Sequence, residues 1–372
     1  MLTRLEVNVA TVKKNILFIK KEIKDKLKFE HITATLKGNA YGFGIEKIAN
    51  LCLANGVDTI AVARMSEAIQ LRQLVKGKYE IMLIGIVDNE DVALAIKHNA
   101  ILPVTSIEHA NEMAKLNIKN LKIQFKLNTG MNRIGFKNKE DLKAAYTLLT
   151  KKGVKVMGVY SHIYDNGDVE KSKKQFDLFE ELASAIPNWK KLPYRHIRAS
   201  GGVDAAIRKV IAKRDWENNV RPGCSIFGYE SYDPKKTDAF NCMQLVSKVV
   251  QVSIVPKNET VGYESTYKVN DKFEYIANIP AGWADGLSRS FSGKSVYING
   301  KLYPIVGKMA MDNLSVKVDK TVKKGDTVYI FKDIKHASTF IDDPSDLANI
   351  IAVIANLSVT RVPRVYVEKT KK

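Results

Sequence analysis

Cysteine is scarce in this chain: three residues in 372, Cys52, Cys224 and Cys242. An odd number at wide spacings builds neither a disulfide framework nor a zinc pattern, so no metal site is expected and a reducing compartment fits. Long apolar runs are missing too, none approaching the roughly 20 residues that span a bilayer. The opening "MLTRLEVNVATVKKN" has no uninterrupted apolar core of the kind an export signal needs, which points to the cytoplasm and away from membranes. No low-complexity tract stands out, and no repeat beyond a strand-helix alternation. Acidic residues are outnumbered 40 to 59 by Lys and Arg, for a formal charge of +19. Such an excess can serve phosphate contacts. Here the lysines are scattered through "KKNILFIKKEIKDKLK", "KSKKQ", "NWKK" and "DPKKTD", which reads as solvated faces and turns and argues against a nucleic-acid partner.

What is present is an ordinary globular composition, 45% hydrophobic and 27% charged, in a length that allows two domains. The runs "HITATLK", "DTIAVAR", "EIMLIG", "AILPVT", "LKIQFKL", "VKVMGVYSH", "YRHIRAS" and "NVRPGCSIFGY" read as strands. Helical patterns follow most of them: "IEKIANLCLANG", with an Asn-Gly stop, "MSEAIQLRQLVKG", "NEDVALAIKHN" and "SIEHANEMAKL". Eight such alternations suggest an α/β fold of the (β/α)8 TIM-barrel type, although a doubly wound sheet with one strand miscounted carries a similar pattern. After residue 235 the texture becomes mostly β, with an Asn-Gly hairpin signal in "YINGKLY" and one later helix, "DDPSDLANIIAVIAN", with Pro and acids near its start. The expected division is a barrel over residues 1–232, with residues 1–8 available to pair with the second unit, and a β domain over 233–372.

In a barrel, chemistry gathers at the C-terminal ends of the strands. Lys37 ends the first strand, where a lysine of purely local purpose would mark the meeting with water. Lys126 and Arg133 follow the fifth, His162 the sixth, Ser200 the seventh, and Arg221 and Gly223 lie in the eighth. Several polar groups converging on one face are harder to assign to solvent than one.

The segments "LKGNAYGFG", "KLNTGMNRIGF", "VYSH", "VRPGCSIFG", "VGYESTY", "AGWADG", "VGKMAMDN" and "RVPRVYV" together resemble the alanine racemase family of pyridoxal-phosphate (PLP) amino-acid racemases, over nearly the whole chain. The resemblance implies that Lys37 forms the Schiff base with PLP and acts as one base. Tyr263, from the second domain of the partner subunit in a homodimer, would be the other. A free lysine or tyrosine has a pKa near 10 and needs the cofactor or cationic neighbours to act at neutral pH. Arg221 would face the ring nitrogen of PLP and, able only to donate, keep it unprotonated. His162 would hold Arg221 in place. Tyr41, Ser200 and the main-chain amides near Gly223 and Cys224 would bind the phosphate. Arg133 and the amide of Met311 would bind the substrate carboxylate, with Asp312 nearby. Lys126 matches a lysine that carries a carbamate in many family members; otherwise it is a strand lysine paired with an acid.

Three departures bear on the substrate. Ala199 stands where the family often has asparagine, Trp283 replaces a tyrosine, and Ile351, Ala352 or Val353 stands where family members place a tyrosine that touches the phosphate and narrows the entrance. Alanine is the expected substrate of this small-molecule enzyme. The alternatives are a larger amino acid such as serine or lysine, or decarboxylation on the same two-domain plan.

Overall fold

The computed structural model of the chain describes residues 2–200, 211–228, 242–342 and 347–368. Strand β1 (Arg4–Asn8) and helix α1 (Val9–Lys20) lead into eight parallel strands: β2 (His31–Thr35), β3 (Thr59–Val62), β4 (Glu80–Leu83), β5 (Ala100–Val104), β6 (Lys122–Lys126), β7 (Lys155–Tyr160), β8 (Tyr194–His196) and β9 (Asn219–Val220). They pair in the order β8-β7-β6-β5-β4-β3-β2-β9. An isolated parallel bridge between Ala199 and Arg221, and the Asn218 N–H donating to the Arg195 carbonyl at 3.2 Å, join the two ends of that order. The sheet is therefore a nearly closed barrel and not an open doubly wound sheet.

The last strand is shorter than its sequence run suggests. Pro222 offers no N–H to a ladder, and Cys224–Phe227 coils into a 3-10 turn. Helices fill the gaps between strands as the spacing predicts. In α2 (Ile45–Ala54), Ile45, Ile48, Ala49 and Cys52 are buried, the i, i+3, i+4, i+7 stripe of a helix lying on a sheet. Gly56 then takes φ +92°, the left-handed conformation that stops it. The helices α3 (Met65–Leu74), α4 (Glu90–Lys97) and α5 (Ile107–Met113) fall in the expected windows. Inside the barrel Ala61, Met82, Ile101 and Tyr194 pack as a core of their own.

The second sheet contains β10 (Met243–Lys248), β11 (Gln251–Pro256), β14 (Phe273–Ile279), β15 (Ser295–Ile298), β16 (Lys301–Val306), β17 (Leu314–Val318), β18 (Thr327–Phe331) and β19 (Arg364–Val367), while β12 (Thr260–Val261) and β13 (Tyr267–Lys268) pair separately. The β15-β16 hairpin turns on Asn299 and Gly300 at φ +50° and +81°, as an Asn-Gly pair should. Strand β1 lies in this sheet, antiparallel to β10 and parallel to β19, so the chain enters through the β unit before it builds the barrel. The expected boundary at 232/233 lies outside the described residues, as do Pro344, Asp343 and Asp346 before helix α6 (Leu347–Asn356). Among the described residues no helix is long and apolar enough to cross a membrane.

Candidate active site

The first strand-end residue is Lys37, and the chain beyond it does something unusual. Gly38, Asn39, Ala40 and Tyr41 take φ of +63°, +55°, +54° and +54°, a complete left-handed turn. For residues with a Cβ this costs about 1–2 kcal/mol each. Hydrogen bonds from Ala40 N–H to the Leu36 carbonyl (2.8 Å) and from Gly42 N–H to the Gly38 carbonyl (2.9 Å) close the turn. Phe43 then stacks on Phe227 at 4.3 Å, tying it to the 3-10 turn that follows the neighbouring strand β9. The turn carries the Tyr41 hydroxyl over Gly223, where a Cβ would sit 2.5 Å from that oxygen. Ser200 Oγ accepts the Gly223 N–H at 2.8 Å and the Ser225 hydroxyl at 3.2 Å. Small residues, hydroxyls and amides at this corner make a cradle for an anion.

Lys37, Tyr41, Lys126, Arg133, His162, Ala199, Ser200, Arg221 and Gly223 line one cavity of about 170 Å³, together with Thr35, Ile84, Tyr160, Ile163 and Asn166. Cys224, the residue after Gly223, is half-buried and does not line it. Arg221 is 4% exposed and has no carboxylate partner among the described residues. Its Nη2 donates to the Ser161 carbonyl at 2.6 Å and its Nη1 to Nδ1 of His196, which leaves the Nε–H without a partner among the described residues. Burial lowers the Arg221 pKa to about 10, so it stays charged at neutral pH.

The expectation that His162 holds Arg221 is corrected here: the imidazole against the guanidinium is His196. Its Nε2 lies 3.1 Å from Gln124 Oε1, and its ring stacks on Tyr160 at 5.4 Å. The Gln124 oxygen must accept, so Nε2 carries the proton and Nδ1 is free to accept from Arg221. Burial, then the charges of Arg221 and Lys126, hold His196 neutral, its pKa well below the usual imidazole range. His196, Gln124 and Tyr160 are site residues that sequence reasoning missed. Their signal was available only in the inward parity of β6, β7 and β8.

His162 sits past the end of β7 in the cavity wall. Burial first, then Arg221, Lys126, Arg133 and Lys37, push its pKa down to about 3. In the unfolded chain it titrates near 6.5, so between those values the unfolded state binds the extra proton. The neutral imidazole's contribution to stability is complete above pH 6.5 and is lost as pH falls toward 3. We expect denaturation midpoints of the cofactor-free protein to drop between pH 7 and pH 5, with a shallower slope in His162→Gln.

Lys126 is 5% exposed and makes no ion pair among the described residues, so it is not a strand lysine neutralised by an acid. Burial, then Arg221 and Arg133, lower its pKa well below the usual amine range. Its Nζ lies 4.7 Å from the centroid of the Tyr160 ring, whose buried hydroxyl has no hydrogen-bond partner among the described residues. Arg133 is exposed at the cavity mouth, and no hydrogen bond or ion pair occupies its fork among the described residues.

The other candidates lie elsewhere. Tyr263, Trp283 and Met311 are 63%, 41% and 47% exposed, and none of them lines the cavity. They stand on adjoining loops of the β unit: Tyr263 bridges to Lys308, and Ala284 N–H donates to the Met311 carbonyl at 3.0 Å. A Cβ at Gly282 would fall 2.3 Å from that same carbonyl oxygen. Asp312 pairs with Arg361 at 2.6 Å. Of the three entrance positions Ile351 is buried, Val353 half-buried and Ala352 exposed, and none lines the cavity.

A strand-end amine, a backbone cradle for an anion and a buried guanidinium with one spare N–H fit a compact ligand with an aldehyde, a phosphate and a ring acceptor. This is the arrangement of a barrel-type PLP enzyme. The alanine racemase N-terminal domain profile matches residues 7–231, and the C-terminal domain profile residues 242–366. The chain is 33% identical over 349 residues to the alanine racemase of Staphylococcus epidermidis, covering 90% of this chain and 88% of that one. Among solved structures it resembles the Bacillus anthracis alanine racemase with bound L-Ala-P (TM-score 0.85, 25% identity, 99% and 96% coverage). It also resembles a histidine racemase from Leuconostoc mesenteroides (TM-score 0.80, 25% identity, 99% and 98% coverage). The chain belongs to the alanine racemase family, whose members are PLP-dependent isomerases.

Proposed function

We propose that this racemase interconverts L- and D-alanine in the cytoplasm as a homodimer, its barrel domain (residues 1–232, with 1–8 pairing with the second unit) meeting the β domain (233–372) of a second copy. The observation that carries this reading is the division of the site: Lys37 and Arg133 line the cavity, while Tyr263 and Met311 stand exposed outside it. Tyr263 of the partner subunit then faces Lys37 across the substrate.

When bound, PLP supplies an aldehyde for covalent attachment and an electron sink for the carbanion. The chain does the rest. Tyr41, Ser200 and the amides near Gly223 and Cys224 anchor the phosphate, and the Arg133 fork takes the substrate carboxylate with the Met311 amide of the partner subunit. Lys37 Nζ exchanges the α-proton on one face and the partner's Tyr263 hydroxyl on the other. Arg221, a donor only, keeps the ring nitrogen unprotonated, and neutral His196 keeps Arg221 in place. Burial that lowers the Lys126 pKa favours the free amine, which can add carbon dioxide and release a proton to solvent, and the resulting carbamate anion would steady Arg133.

Mixing Lys37→Ala and Tyr263→Phe chains tests the division. Each mixed dimer has one intact site, so random exchange restores about one quarter of wild-type activity from two inactive parents. No recovery after subunit exchange would show that both bases act within one chain, and the dimeric site would be wrong.

A broader substrate range is the second reading. None of Ile351, Ala352 and Val353 narrows the cavity, and the histidine racemase shows that this fold accommodates a larger side chain in that protein. Exchange of α-protons in deuterated water across alanine, serine, lysine and histidine decides between them.

A further inference from the structure

The left-handed turn over Gly38–Tyr41 presents Lys37 at one end and Tyr41 at the other, and side chains from outside the cavity grip it at each end. Glu67, in the first turn of α3, accepts the Gly38 N–H at 2.5 Å through Oε1. Its Oε2 accepts the N–H groups of Ala63 (2.8 Å) and Arg64 (3.1 Å), so the carboxylate is locked to the start of its own helix while it holds the residue next to Lys37. At the other end Arg364 of β19 donates Nε to the Gly42 carbonyl at 2.7 Å. Its Nη1 and Nη2 donate to the carbonyls of Leu357 (2.8 Å), Ser358 (3.0 Å) and Val362 (2.7 Å), in the segment between α6 and β19. The Tyr366 hydroxyl donates to the Phe43 carbonyl at 3.0 Å. A Cβ at Gly42 would lie 2.3 Å from the Ile354 carbonyl oxygen, so the second unit sits directly on the turn.

This geometry has a purpose that capping alone does not explain. A turn built of unfavourable conformers relaxes unless its surroundings over-determine it. Glu67 does so from the barrel and Arg364 from the β unit, and among the described residues both side chains bond to backbone groups alone. We propose that Glu67 and Arg364 are positioning residues, Glu67 fixing the approach of Lys37 and Arg364 fixing the Tyr41 end of the phosphate cradle. The inference rests on the roles given above to Lys37 and Tyr41.

The test uses PLP-loaded full-length protein. Wild type is first reduced with borohydride and mapped by mass spectrometry; absence of a PLP adduct on Lys37 would sink the site reading itself, and the inference with it. With the adduct present, Glu67→Gln and Arg364→Lys are compared for PLP dissociation constant, kcat and KM at saturating PLP, and melting temperature. Misplaced reacting groups lose rate, so we expect kcat to fall about tenfold to a hundredfold in Glu67→Gln with KM nearly unchanged. In Arg364→Lys, whose ammonium cannot reproduce the fork, the PLP dissociation constant should rise by about tenfold or more while kcat at saturation holds. Lower melting temperatures with kcat and PLP affinity both within about twofold of wild type would make the two residues structural only and overturn the proposal. If one variant fails to fold, the other carries the test, because their expected signatures differ.

Discussion

Lys37→Ala is expected to lower racemisation by about 10⁴-fold or more in both directions, since it removes covalent attachment together with one of two proton-transfer groups. The fold should tolerate it. Lys37 is exposed in the chain and makes no ion pair or hydrogen bond through its side chain among the described residues. Circular dichroism melts of the cofactor-free variant should therefore match wild type, and chiral chromatography of the reaction from each enantiomer gives the rate. Residual activity above a few per cent, with the fold intact, would place the essential base elsewhere.

Tyr263→Phe should have the next largest effect, a loss of about 10² to 10⁴ in both directions, the range for one general acid-base group. Its signature differs from that of Lys37→Ala. With Lys37 in place, the enantiomer whose α-proton faces that amine still exchanges it with deuterated water, now without inversion. The opposite enantiomer does not. Proton NMR of exchange beside chiral analysis of the product separates the two, and equal exchange from both enantiomers would remove Tyr263 from the mechanism. Because the phenol is 63% exposed in the single chain, losing its hydroxyl should not disturb the monomer fold.

The two variants also probe how far the linear chain could be read. Period and turn chemistry are local properties, so the (β/α) alternation, the Asn55-Gly56 stop and the Asn299-Gly300 hairpin are all legible in the linear chain. The strand-end positions of Lys37 and Arg221 were legible for the same reason, whereas Arg133 lies on the loop after β6 and Tyr263 and Met311 come only as what the motif resemblance implies. The eighth strand is shorter than its sequence run because apolar character continues through "CSIFGY" although Pro222 ends the pairing.

Choosing between two histidines was beyond local reading. His162 lies just past β7 and His196 ends β8, and only the lateral register of β6, β7 and β8 stacks Tyr160 on His196, with Gln124 beside it and Arg221 across the seam. The left-handed turn was hidden as well, since Asn39, Ala40 and Tyr41 have no sequence preference strong enough to announce five consecutive positive φ angles from Gly38 to Gly42. By itself, then, the sequence determined the element types, their order and the chemical groups at the strand ends, because these follow from side chains a few residues apart. Tertiary structure alone decided which imidazole meets Arg221, that Lys126 is buried without an acid, and that Tyr263 is kept out of the cavity on its own chain. Each of those depends on which distant segments become neighbours and how much water they exclude, and no local pattern of residues carries that information.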